Sequence, residues 1–243
     1  MFVVGVDGCR GGWLAVKLTL HGAWGVKVFD SFSQVWESYQ DATLVLVDIP
    51  IGILDGTHGR PCDWLARKIL GPRYRSVFPV PCRPAVYATT YDEAIKTNER
   101  ITGKRIFRAT WNIIGKIREV DDFLLKTPKA PESVREIHPE VCFWALNGMN
   151  PAIYSKTKKE EKEKGYQERL GILQSVFPPA KGILDESLLK FKRKDVSRDD
   201  IHDALVAAVT GLLGWQNLRT LPPSPERDAY GLPMEMVYFL SDR

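Results

Sequence analysis

The chain has 243 residues, with a hydrophobic fraction of 44%, a charged fraction of 26% and a formal charge of +4. That length can bury a full core as one domain, and the ordinary composition argues against disorder and fibrous repeats. The mild positive balance permits an anionic partner without demanding one.

Cys9, Cys62, Cys82 and Cys142 are widely spaced with no C-x-x-C pair. Reduced thiols in a cytoplasmic protein are the expectation, rather than a disulfide frame or a zinc site. The chain enters a strand pattern with neither a basic start nor a small-residue cleavage site. No apolar run nears the roughly 20 residues that span a bilayer, so no membrane partner is expected.

Residues 2–7, 13–20 and 23–30 read as three strands joined at Gly11-Gly12 and His21-Gly22, an antiparallel meander. Ser31 or Ser33 is placed to cap a short amphipathic helix through Val35, Trp36 and Tyr39. The run from Thr43 to Asp48 is apolar almost throughout, which suits a central parallel strand buried on both faces. Three antiparallel strands, a helix and a buried strand open an RNase H-like α/β fold, a mixed five-stranded sheet flanked by helices. In that topology Asp7 and Asp48 stand at comparable C-terminal strand ends.

Residues 52–131 read as a helical insertion within a single domain spanning 1–243, with helices near 62–70, 91–101 and 106–126. From 55 to 129 there are 15 Lys/Arg against 8 Asp/Glu, a local surplus of +7 that exceeds the whole-chain balance. The sheet resumes in a strand ending near Ile137, followed by a helix with Pro139 in its first turn. Residues 155–164 are a charge run, read as a solvated loop or frayed helix. Ser197 precedes an amphipathic helix with Ile201, Leu205, Ala208 and Leu212 on one face. The tail from Pro222 reads as loop with an edge strand at 234–240.

Asp7, Asp48, Asp200 and Asp203 are the acids this topology can gather. Asp200 and Asp203 are three apart and neighbours on one helix. Asp200 borders the small residues Ala204, Ala207, Ala208 and Gly211, which would let the helix lie close to a sheet. Such an oxygen-rich pocket suits Mg²⁺ or Mn²⁺, and two such ions could activate water and stabilise the leaving oxygen of a phosphodiester. Each acid also has a structural explanation. Asp7 before Gly8 suits a turn, Asp48 could close its strand, Asp200 could complete a capping box with Ser197, and Asp203 could face solvent.

Glu136 and His138 could enter the same site, although His138 also suits a strand end before a Pro-started helix. Glu119, Asp121 and Asp122 read as helix-surface acids paired with Lys116 and Arg118. Cys62 and Cys82 lack a His at a recognised spacing for nucleophilic chemistry. Arg73, Arg75 and Arg83, interleaved with Tyr74, Phe78 and Tyr87, could hold a nucleic-acid backbone and stack on bases, with Lys156 as a further cation.

The blocks "GVDGCRGGWLAV", "VDIPIGI", "RPCDWLARKILGPRYRSVFPVPCRPA", "WNIIGKIREVD" and "EIHPEVCF" resemble, in order, domain of unknown function 429. This resemblance covers residue 3 to about 213. The family is described as predicted RNase H-like nucleases, so it implies metal-dependent hydrolysis of DNA or RNA. "DDIHDAL" also looks like the final acidic helix of Holliday-junction resolvases. By that likeness Asp7 matches the first-strand acid, Asp48 the second, and Asp200 with Asp203 the final pair. Resolvases usually carry Glu at the second position; the shorter Asp48 would shift the metal or require Glu136.

Two other readings stand beside the nuclease. One is a nucleotide-binding phosphotransferase of the actin and sugar-kinase branch, with "VDGCRGGW" and "VDIPIG" as phosphate loops. The other is a non-catalytic binding module. A small phosphorylated substrate would suit the same ions, and oligomeric state, a dimer included, is left open.

Overall fold

Residues 1–56 and 58–240 are described by a computed structural model. Strand β1 (Phe2–Cys9), β2 (Gly12–Thr19) and β3 (Trp24–Phe29) form the antiparallel meander. The first turn requires glycine: Gly12 has φ +119°, and a Cβ there would lie 2.1 Å from the Phe29 carbonyl oxygen. Ser31, rather than Ser33, caps α1 (Phe32–Tyr39) by accepting from the Gln34 N–H. The four buried residues of β4 (Leu44–Val47) pair parallel to β1.

Four helices follow before the sheet resumes: α2 (Pro61–Leu70), α3 (Arg83–Val86), α4 (Tyr91–Thr102) and α5 (Arg108–Lys126). Strand β5 (Val134–Glu136) then pairs parallel to β4, completing a mixed sheet of order β3-β2-β1-β4-β5. Helices α6 (Pro139–Leu146), α7 (Lys162–Val176), α8 (Ala180–Lys190) and α9 (Arg198–Gly214) come next. This is a helix-flanked α/β architecture compatible with an RNase H-like fold. No helix among the described residues is long and apolar enough to cross a membrane.

The period-2 alternation of the strands divides the core. Val4, Val6, Trp13, Val45 and Val47 pack with Phe32, Val35, Ile114, Ile117 and Val120 of α1 and α5. Val3, Leu14, Val16, Leu44 and Leu46 pack with α6–α9 on the other face. Each such side chain contributes about 1.5–3 kcal/mol by leaving water. Helix α9 touches the β1 backbone: a Cβ on Gly5 would lie 2.1 Å from the Ala204 carbonyl oxygen and 2.3 Å from the Ala208 nitrogen. The small residues Ala204, Ala207 and Ala208 permit this approach, and it sets the height of α9 above the strand ends.

The strand expected at 234–240 is present, but the preceding segment read as loop is a strand too. Strands β6 (Arg219–Arg227) and β7 (Pro233–Tyr238) form a second, antiparallel sheet. Pro222, Pro223 and Pro225 donate no ladder hydrogen bonds, and the register shifts between Leu221 and Glu226 to pass them. The sheet buries Leu221, Met234, Met236 and Tyr238 against α2 and α6. Part of the charge run also departs from expectation, because Lys156 turns inward.

Candidate metal centre and substrate cleft

The register of the parallel strands delivers two aspartates to one place. Val6 pairs with Val47, and the Asp48 N–H donates to the Val6 carbonyl at 2.9 Å. Asp7 and Asp48 therefore occupy equivalent positions at the C-terminal edge, on the face where Leu46 and Gly5 meet α9. Crevices beyond the carboxyl ends of parallel strands are where open α/β sheets bind ligands. Here the crevice is a cavity of about 160 Å³, bordered by Asp7, Asp48, Asp63, Glu136, His138 and Lys116.

Asp7 is buried and Asp48 half-buried, and among the described residues neither carboxylate accepts a hydrogen bond. Burial holds the Asp7 carboxyl well above the usual carboxylate range, and the negative charges of Asp48, Asp203 and Asp200 raise it further. Asp48 is pushed up to about 8, first by burial and then by Asp203. Lys156 opposes both shifts.

The helix acids divide. Asp203 accepts from Lys156 Nζ through both oxygens, at 2.7 and 2.6 Å. The Lys156 ammonium is also 3.9 Å from Glu140, which Arg169 holds in a bidentate pair at 2.7–3.0 Å. Lys156 is thus the protein's own cation beside the aspartates. Asp200 completes the capping box: its oxygens accept from the Ser197 N–H and hydroxyl at 2.8 and 2.7 Å, and its N–H donates back at 3.1 Å.

Glu136 borders the same cavity from the other face of the sheet. It pairs with Val47, so its side chain leaves the sheet on the face opposite Asp48. There it accepts from the Ile51 N–H at 2.7 Å and pairs with the Arg60 guanidinium. Arg60 also reaches Asp63 at 3.4 Å and donates to Cys62 Sγ at 3.1 Å. One ligand atom each from Cys62, Asp63 and Glu136 lies within 4.8 Å of the others, so this buried set could hold a metal ion. Burial pushes Glu136 up to about 8 against the pull of Arg60, and holds the Cys62 thiol well above its ordinary value. His138 has Nε2 3.3 Å from the Ser76 carbonyl oxygen, and burial lowers it to about 4, which keeps the imidazole neutral.

The expected substrate arginines are dispersed. Arg83 is buried, paired with Asp121 and, at 2.6 Å, with Asp228, and stacked on Tyr230. It ties α3 to α5 and to the β6–β7 connection, which corrects the readings of Arg83 as a backbone-tracking cation and of Asp121 as a surface acid. Glu119 also faces inward, accepting from Trp13 Nε1 and the Phe32 N–H. Arg75 is exposed and donates to the Tyr74 hydroxyl, whereas Arg73 is half-buried.

Lys116 escaped sequence reasoning as a cavity residue. Its Nζ donates to the Gly12 carbonyl at 2.6 Å and lies 4.2 Å from the Trp13 ring centroid. Its stem crosses Gly8, where a Cβ would be 2.5 Å from Lys116 Cδ. The glycine after Asp7 makes room for a lysine 108 positions downstream, a partnership with no local signature.

No curated protein and no solved structure matches the chain. A family model described as "Protein of unknown function (DUF429)" matches residues 5–227, and the chain belongs to that family.

Proposed function

We propose that the chain is a metal-dependent nuclease of RNase H-like type, hydrolysing phosphodiester bonds of DNA or RNA. The observation that carries this reading is the register pair Asp7 and Asp48: two carboxylates at a cavity edge, without hydrogen-bond partners, both held above the usual carboxylate range by burial and by the charge of Asp203. All the donors are hard oxygens, which suit Mg²⁺ or Mn²⁺. Asp7, Asp48 and Asp203 would hold the ion. When bound, it supplies Lewis-acid activation of water and neutralises charge on the phosphate.

The protein's own groups have separable tasks. Lys156 holds both oxygens of Asp203 and opposes the rise that burial imposes on its carboxyl. Lys116 sets a positive charge on the cavity wall, where a phosphate would face it. Asp200 fixes the start of α9, and hence the height of Asp203 over the sheet.

The test is cleavage of single-stranded, duplex and branched DNA and RNA with Mg²⁺ or Mn²⁺, run beside Asp7→Asn. Ion-dependent cleavage by the wild type, lost in Asp7→Asn, is expected. Equal activity or equal inactivity of the two proteins on every substrate overturns the reading.

A further inference from the structure

A larger groove adjoins the acidic cavity. It encloses about 730 Å³ and shares Asp63, Pro79, Val80 and Thr110 with the cavity wall. Its sides are α2, carrying Trp64 and Arg67, and the α4–α5 connection, carrying Lys104, Arg105 and Phe107. The volume is within the range of sites that take small organic ligands.

Its chemistry is uneven. Arg60, Arg67, Lys104 and Arg105 line it, against the single acid Asp63. Arg60 is committed to Glu136, and Arg67 donates to the Val77 carbonyl at 2.7 and 3.0 Å. Lys104 and Arg105 are exposed, and among the described residues their side chains form no ion pair. Trp64 is 63% exposed, with the Lys68 Nζ 5.5 Å from its ring centroid, and Phe107 is 66% exposed, so two large apolar surfaces are left in water along the groove. Unpaired cations beside exposed aromatic rings suit a ligand with both negative charge and flat faces.

We infer that this groove binds an unpaired stretch of nucleic acid, with bases against Trp64 and Phe107 and phosphates at Lys104 and Arg105. In a duplex the base faces are already stacked, so the aromatic walls favour single strands. A strand lying in the groove would run toward the shared wall at Asp63 and Thr110 and bring a phosphate to Asp7 and Asp48. The inference deepens the nuclease reading, and rests on it only for the direction in which the strand runs.

Fluorescence anisotropy with labelled oligonucleotides in EDTA reads binding apart from cleavage. A single-stranded 15-mer should bind more tightly than the duplex of the same sequence. Trp64→Ala should weaken single-strand binding about five- to 150-fold. Lys104→Ala with Arg105→Ala should lower the dependence of log affinity on log salt by about 1.4. Lys27→Ala with Lys194→Ala removes equal charge from exposed positions outside the groove and should leave the affinity nearly unchanged.

Binding that is no tighter for single strands than for duplex, or that is indifferent to Trp64→Ala and to the Lys104/Arg105 pair, overturns the inference. Single-strand binding that shows these losses but is followed by no metal-dependent cleavage sustains the groove and removes the nuclease. Cleavage that persists with unaltered binding in Trp64→Ala sustains the nuclease and removes the groove.

Discussion

At Cys62, Asp63 and Glu136 the protein supplies a cation from its own chain, and at Asp7 and Asp48 it supplies none that touches them. Arg60 reaches all three members of the first group, and the Ile51 N–H satisfies Glu136 as well. Across the same cavity, Asp7 and Asp48 accept no hydrogen bond from the described residues, and the Lys156 ammonium is engaged by Asp203. A buried carboxylate with a guanidinium partner needs nothing further, whereas a buried pair without one carries a standing electrostatic cost. Close-packed donors mark the first group, and the lack of a chain-supplied counter-charge marks the second. The difference lies in what the chain supplies: a guanidinium for the first group, and for the second a lysine whose hydrogen bonds go to Asp203.

The largest effect should come from removing the internal cation. Arg60→Ala leaves Glu136 and Asp63 buried without a counter-charge and should cost about 3–5 kcal/mol in denaturant unfolding. A loss under about 1 kcal/mol would mean that the Cys62 group does not depend on Arg60, and the contrast would dissolve.

Divalent ions test the other side. At free Mn²⁺ about a hundred times its Kd, the native state should gain about 2.7 kcal/mol, a rise of roughly 5–10 °C in Tm. The rise should vanish in Asp7→Asn and in Asp48→Asn and survive in Glu136→Gln. The reverse pattern would move the ion to Cys62, Asp63 and Glu136 and invert the comparison.

Proton linkage gives a subtler signature. The Asp48 carboxyl has a folded pKa raised from 3.8 to about 8, so the folded state holds a proton that the unfolded state releases. The stability this confers is complete below about pH 4 and is lost as pH rises toward 8. Without divalent ions, unfolding free energy should therefore fall across that window, and Asp48→Asn should flatten the fall. The histidines held neutral by burial, His138 and His202, act in the opposite sense below about pH 6.5. The difference between wild type and Asp48→Asn is therefore the readout, and a difference that does not change with pH would contradict the unpaired state of Asp48.

How much of this was legible in the sequence follows from the range of each interaction. β1 and β4 were readable because an apolar run and its terminal acid lie within a few residues of each other. Their parallel pairing then followed from the order of elements, and it brought Asp7 to Asp48. The Arg60–Glu136 and Arg83–Asp228 pairs span 76 and 145 residues, and no local pattern marks either partner. Lys156 was hidden differently: it opens a run of lysines and glutamates that reads as solvated, and only its neighbours remain so. Strand β6 was masked by Pro222, Pro223 and Pro225, which argue against a central strand but are tolerated in a two-stranded sheet with a register shift.

The smallest effect separates the two acids of α9, which the sequence could not tell apart. With both oxygens of Asp200 engaged by Ser197, Asp200 acts through the helix start, whereas Asp203 faces the aspartates. Ser197→Ala removes the hydroxyl that caps Asp200 N–H and should cost about 1 kcal/mol. It should leave the Mn²⁺-induced rise in Tm nearly intact. Asp200→Asn should likewise retain most of the rise, because an amide oxygen can still accept from Ser197, whereas Asp203→Asn should lose it. If Asp200→Asn abolishes the rise and Ser197→Ala does not, Asp200 leaves its cap to bind the ion. The acidic side of the comparison would then contain four carboxylates rather than three.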